Sequence, residues 1–112
     1  MQRVRLETSR VRDWDSFHDE FARLFGFPAF YGRNMNAWID CMSELDDAEA
    51  GMTAIHAKPG EVVVLQLDHV SDFSMRCPEL YEGIVEGAAF VNWRRIETGQ
   101  NAVLALSFCK RD

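Results

Sequence analysis

The run Val62-Val63-Val64-Leu65, carried on through Gln66 to Leu67, is the strongest constraint on how this 112-residue chain can fold. A continuous apolar segment rich in β-branched side chains suits a strand covered on both faces, and such a strand needs helices above and below it. Ala102-Val103-Leu104-Ala105-Leu106 reads as a second fully apolar strand. Near the start, Val4 and Leu6 alternate with Arg3, Arg5 and Glu7, the pattern of a short half-buried strand. Helical segments separate the three, so an α/β fold is expected: a small parallel sheet with helices on both sides, joined by right-handed crossovers. With no internal repeat or linker, residues 1–112 are expected to form a single domain.

The helices have legible ends. Asp13 or Asp15 can cap a first helix in which Phe17, Phe21, Leu24 and Phe25 recur at i, i+4, i+7 and i+8, and which stops at Gly26 ahead of Pro28. A loop, Phe27–Arg33, leads to a second helix that Asn34 can cap and that Asp46–Gly51 ends. Met52–Lys58 reads as an irregular or short extended link closed by a Pro59-Gly60 turn. From Ser71 to Glu97 the chain is helical in character, with Pro78 suited to a first turn. The apolar phase drifts between Leu80-Ile84 and Ala89-Trp93-Ile96, which predicts a break near Gly83 or Gly87.

Composition narrows the function. Lys and Arg total 12 against 18 Asp and Glu, a formal charge of −6, so the long-range field repels nucleic acid and attracts basic proteins. No apolar run follows the basic residues of the amino terminus, and nowhere do about eighteen apolar residues occur together. No membrane association is expected, and the protein is expected to be cytoplasmic. Cys41, Cys77 and Cys109 match neither a zinc ribbon nor a redox pair and read as reduced, core-filling residues. No metal or cofactor is expected. His18, Asp19 and Glu20 point in successive directions on a helix and read as a solvated face; the serines lack a nucleophile elbow. An enzyme is therefore not expected.

The segment Phe27–Glu44 carries the functional signal. Projected at roughly 100° per residue, the second helix places Met35, Trp38, Ile39, Met42 and Leu45 on one stripe and Asn36, Asp40, Ser43, Glu44 and Asp47 opposite. A rigid aromatic loop leading into a helix with an acidic face is suited to docking.

Over the same residues, Pro28-Ala29-Phe30-Tyr31-Gly32-Arg33-Asn34-Met35-Asn36-Ala37-Trp38-Ile39-Asp40-Cys41 resembles the barstar family pattern, Pro-x-aromatic-Tyr-Gly-x-Asn-x-(Asp/Asn)-Ala-x-x-Asp-Cys. Fainter similarity runs through the first helix, Val62–Leu67, and Glu86 to Phe108. The resemblance implies a three-stranded parallel sheet packed between about four helices. It also implies an inhibitor or immunity protein that binds a basic nuclease, a ribonuclease, one to one without a cofactor. It makes Phe30, Tyr31, Gly32, Arg33, Asn34, Met35, Asn36, Asp40, Ser43, Glu44 and Arg94 the candidate partner-binding residues. Gly32, Asn34 and Asp40 fall where the family makes its inhibitory contacts.

The departures are specific. Phe30 stands where the family has a tyrosine, Arg33 where it has a glutamate, and Asn36 and Arg94 where it has further acids. The family's tryptophan moves back one position, to Trp38, leaving Ile39 in its place. The second reading of the same features is a non-immunity interaction module that holds another basic protein.

Overall fold

The computed structural model describes residues 2–111. Three parallel strands, β1 (Gln2–Glu7), β2 (Val63–Asp68) and β3 (Leu104–Phe108), form one sheet in the order β1-β2-β3. β2 pairs with β1 from Gln2↔Val63 to Glu7↔Asp68 and with β3 from Val63↔Leu104 to Leu67↔Phe108. Only Gln66 of this central strand is not buried, as its unbroken apolar run requires. β3 begins two residues later than the sequence pattern suggests and is only half-buried, because it lies at the sheet's edge. Asn92 fixes where it starts: its Oδ1 accepts from the Val103 and Leu104 amides at 3.0 and 3.2 Å, and its Nδ2 donates to the Leu104 carbonyl at 2.7 Å.

Four helices complete the α/β fold: α1 (Trp14–Phe25), α2 (Met35–Met42), α3 (Val70–Arg76) and α4 (Pro78–Glu97). Asp13 caps α1 by accepting from the Ser16 amide at 2.8 Å, while the Ser16 hydroxyl accepts from the Asp13 amide at 3.1 Å. α1 buries Phe17, Phe21 and Phe25 completely. It ends at Gly26, whose φ of 66° is left-handed and whose added Cβ would lie 2.4 Å from the Cβ of Ala54, so both backbone and space call for glycine.

The expected break in the last helix lies elsewhere. The chain interrupts its helix at Cys77, ahead of Pro78, and α4 then runs unbroken for 20 residues. The drift in apolar phase arises because Phe90, Trp93 and Ile96 are exposed. Leu80, Ile84, Gly87, Ala88, Val91 and Arg95 form the buried stripe. Gly87 serves contact: a Cβ there would lie 2.9 Å from Met35 Cε and 2.9 Å from Trp38 Cζ3, so α2 and α4 meet closely at this point. Trp38 is fully buried, and among the described residues its indole N–H has no hydrogen-bond partner.

α2 is shorter than its hydrophobic pattern suggests, ending at Met42. The Ser43 hydroxyl donates to the Ile39 carbonyl at 2.6 Å, and the Ser43 carbonyl accepts from Arg95 Nη1 at 2.7 Å. With that carbonyl taken, the Asp47 amide turns to Glu44 instead, at 3.0 Å. Arg95 is only 4 % exposed. It also holds Asp46 through two bonds of 3.0 and 2.7 Å and the Asn101 carbonyl at 2.7 Å.

Two substitutions test this joint. Arg95→Met should destabilise the fold by about 2–3 kcal/mol, since it strands a carboxylate and two carbonyls around an apolar side chain. Gly87→Val should cost about 1–3 kcal/mol through overpacking against Trp38. Urea unfolding checks both, and a midpoint equal to the wild type's in either variant would contradict the packing described.

Candidate functional site

The aromatic loop is anchored from within. The Tyr31 amide donates to the Pro28 carbonyl at 2.9 Å, closing a turn with Ala29 and Phe30 at its tip. The Tyr31 ring packs on Phe27 with centroids 4.7 Å apart, and Phe27 is itself buried. The Tyr31 hydroxyl meets His18 Nδ1 at 2.5 Å. Phe30, by contrast, is 77 % exposed. Of the loop's two aromatic candidates, Phe30 faces solvent and Tyr31 holds the loop to α1.

His18 is therefore no part of a solvated face. It is 4 % exposed, stacked on Trp14 at 6.0 Å and in edge contact with Phe17; Asp19 beside it is exposed. A histidine on an otherwise polar segment gives no sign in sequence that a tyrosine 13 residues on will cover it.

Asn34 starts α2: its Oδ1 accepts from the Ala37 amide at 2.8 Å and its Nδ2 donates to the Gly32 carbonyl at 3.3 Å. Both ends of its side chain are thus engaged in shaping the loop-helix corner. Beyond it, Asn36 and Asp40 stand exposed on α2, Met35 and Ile39 are half-buried beside them, and Glu44 is half-buried past the helix end. Ser43 is the candidate on α2's polar stripe that is buried. It is 7 % exposed, because the Arg95 guanidinium and the turn after α2 cover the position that a longer helix would have presented.

Two clefts flank the exposed side of α2. One, of about 160 Å³, is lined by Pro28, Phe30, Tyr31, Gly32, Ala37, Asp40, Cys41 and Met52. The other, of about 210 Å³, lies between α2 and α4 and is lined by Met35, Ile39, Gly83, Glu86, Gly87 and Phe90. A larger cleft of about 300 Å³, between the start of α1 and the α3–α4 junction, includes none of the candidate residues. Burial, followed by the neighbouring Asp40, pushes the Cys41 thiol up to about 11, so it stays protonated at neutral pH.

The structure pairs the two arginines internally. Arg33, at a left-handed φ of 54°, turns toward α1 and holds Asp15 at 2.6 Å and Asp19 at 2.9 Å. Arg94 reaches across from α4 and holds Asp40 at 2.9 Å, with the two side chains 45 % and 54 % exposed. Sequence reasoning placed Arg94 near this face but gave no sign that it would bind Asp40, 54 residues earlier.

The loop anchor is sensitive to pH. Burial, and then the charge of Arg33, lowers the pKa of His18, while burial raises that of Tyr31. The unfolded chain protonates His18 near pH about 6.5, the folded chain only at lower pH. Between those values the unfolded state binds more protons, so this contribution to stability is complete above about pH 6.5 and is lost as pH falls toward the folded-state pKa. His18→Gln should accordingly lose less stability than the wild type between pH 7.5 and 5.5. Equal losses in urea unfolding at the two pH values would exclude the linkage.

No helix among the described residues is long and apolar enough to cross a membrane. No curated protein matches the chain. The profile of the family described as Barstar (barnase inhibitor) matches residues 1–100, and with its three parallel strands and four helices the chain belongs to the barstar family.

Proposed function

We propose that this chain is a cytoplasmic immunity protein that blocks the active site of a basic nuclease, a ribonuclease, in a one-to-one complex formed through the exposed side of α2 and the Phe30 loop. The observation that carries this reading is Asp40, a half-exposed carboxylate on a helix with a cleft on either side. A ribonuclease site gathers cations to stabilise phosphate and transition-state charge. A carboxylate fixed on a preformed helix can take the phosphate's place, accept charge-assisted hydrogen bonds and bind without being cleaved. Phe30 supplies an apolar anchor at the rim that excludes water around it.

The Arg94 pair does not remove Asp40 from this role. An exposed ion pair is worth at most about 1 kcal/mol, whereas a desolvated bond between carboxylate and active-site cations is worth several. A strongly cationic partner can therefore displace Arg94, at the expense of holding a like charge nearby. Arg33, already neutralised by Asp15 and Asp19, imposes less of this penalty. Arg33, Asn36 and Arg94, standing where the family has acids, favour a target other than barnase.

Asp40→Ala should leave folding nearly unchanged and weaken binding to the target by about 2–5 kcal/mol. Arg94→Ala should do the reverse, tightening binding to barnase from a weak starting point by relieving both the internal competition and the like charge. Titration calorimetry with barnase and with other basic ribonucleases decides both. Wild-type affinity in Asp40→Ala would sink the active-site reading, and weaker binding by Arg94→Ala would show that Arg94 makes a favourable contact of its own.

A further inference from the structure

The exposed face of α4 carries a second surface. At roughly 100° per residue, Glu79, Glu82, Glu86, Phe90, Trp93 and Glu97 fall within a sector of about 80° that holds no lysine or arginine. All six are exposed, Phe90 at 47 % and Trp93 at 56 %. The two rings lie 5.5 Å apart and tilted, so they form one apolar patch. Among the described residues, none of the four carboxylates makes an ion pair. The neighbouring cleft, with Phe90 and Glu86 in its wall, joins this patch to Met35 and Ile39 of α2.

Exposed aromatic rings on a soluble helix mark a contact surface, and the charge around them selects its occupant. Phosphate-bearing RNA and an anionic membrane surface are repelled by four unpaired carboxylates. Guanidinium groups suit both parts of the patch: they stack on tryptophan and phenylalanine faces and bond to carboxylates at their edges.

We propose that the α4 stripe is a docking surface for an arginine-rich segment of a basic protein, with Trp93 and Phe90 as stacking platforms and Glu82 and Glu86 as charge partners. It extends the α2 site across the cleft, and it rests on the reading that the partner is a basic protein. It also gives a reason for the two aromatics to stay in solvent on a helix that buries Leu80, Ile84, Ala88 and Val91.

The probe is an octa-arginine peptide, titrated at moderate salt and followed by tryptophan fluorescence and calorimetry. Saturable binding is expected, weakened at least fivefold by Trp93→Ser and by the double change Glu82→Gln with Glu86→Gln. Asp47→Asn with Glu49→Gln, which removes the same charge elsewhere, should retain wild-type affinity. The ribonuclease titrations of Asp40→Ala read the α2 site and the peptide titrations of Trp93→Ser read this one, so loss of the α2 reading would not mimic loss of this one. Circular dichroism confirms that each variant folds. No saturable binding, or equal weakening by the Asp47 and Glu49 control, overturns the proposal. Concentration-dependent dimerisation abolished by Trp93→Ser in sedimentation would assign the face to a second copy of the chain and overturn it as well.

Discussion

Where α2 crosses α4, a helix would ordinarily put a side chain, and Gly87 puts none. The ring of Trp38 and the end of Met35 occupy the space that a Cβ at Gly87 would fill. This closeness fixes how far α2 stands from α4 and therefore which of its residues remain in solvent. With Trp38 in the core, Ile39 is left half-buried and Asp40 exposed, and Arg94, seven residues beyond the glycine on α4, comes within 2.9 Å of Asp40. The contact carries a penalty of about 1–3 kcal/mol, since the indole N–H is buried with no partner among the described residues. Complete burial of so large an aromatic offsets it.

Arg95 fastens the same joint from its other end. A buried guanidinium is costly unless its donors are met, and here they reach Asp46 and the carbonyls of Ser43 and Asn101. Those three partners lie in the turn after α2 and in the segment leading to β3. One side chain thus ends α2, shapes the acidic turn that follows it and holds the approach to the edge strand, while Asn92 of α4 bonds the strand's first residues. α2 is short because the turn after it has been recruited to the core.

The parts of this architecture governed by neighbours in sequence were readable. The apolar run of β2, the caps at Asp13 and Asn34 and the stop at Gly26 each follow from local pattern or local backbone chemistry, and the barstar-like motif marked the loop and α2. Tertiary partners were not readable. Arg95 looks like any charged residue near a helix end until Asp46 closes on it, and His18 looks solvated until Tyr31 covers it. Ser43 sits on a polar stripe only if α2 continues, and whether it continues is decided from α4. The supposed break at Gly83 or Gly87 has the same origin: Phe90, Trp93 and Ile96 confuse the apolar phase because they serve the surface and not the core.

Charge around the exposed side of α2 acts at two ranges. At long range a net charge of −6 favours cationic over anionic surfaces. At contact, the two arginines that interrupt the acidic face are already matched, Arg33 by Asp15 and Asp19, Arg94 by Asp40. Such exposed pairs are weak enough to exchange and specific enough to discriminate. A partner that merely carries positive charge must force Arg94 off Asp40 and then tolerate it, whereas one offering a carboxylate beside its cations satisfies both members of the pair. Selectivity among basic targets can therefore reside in a single exchangeable ion pair, on a backbone that the Trp38–Gly87 contact and Arg95 hold fixed.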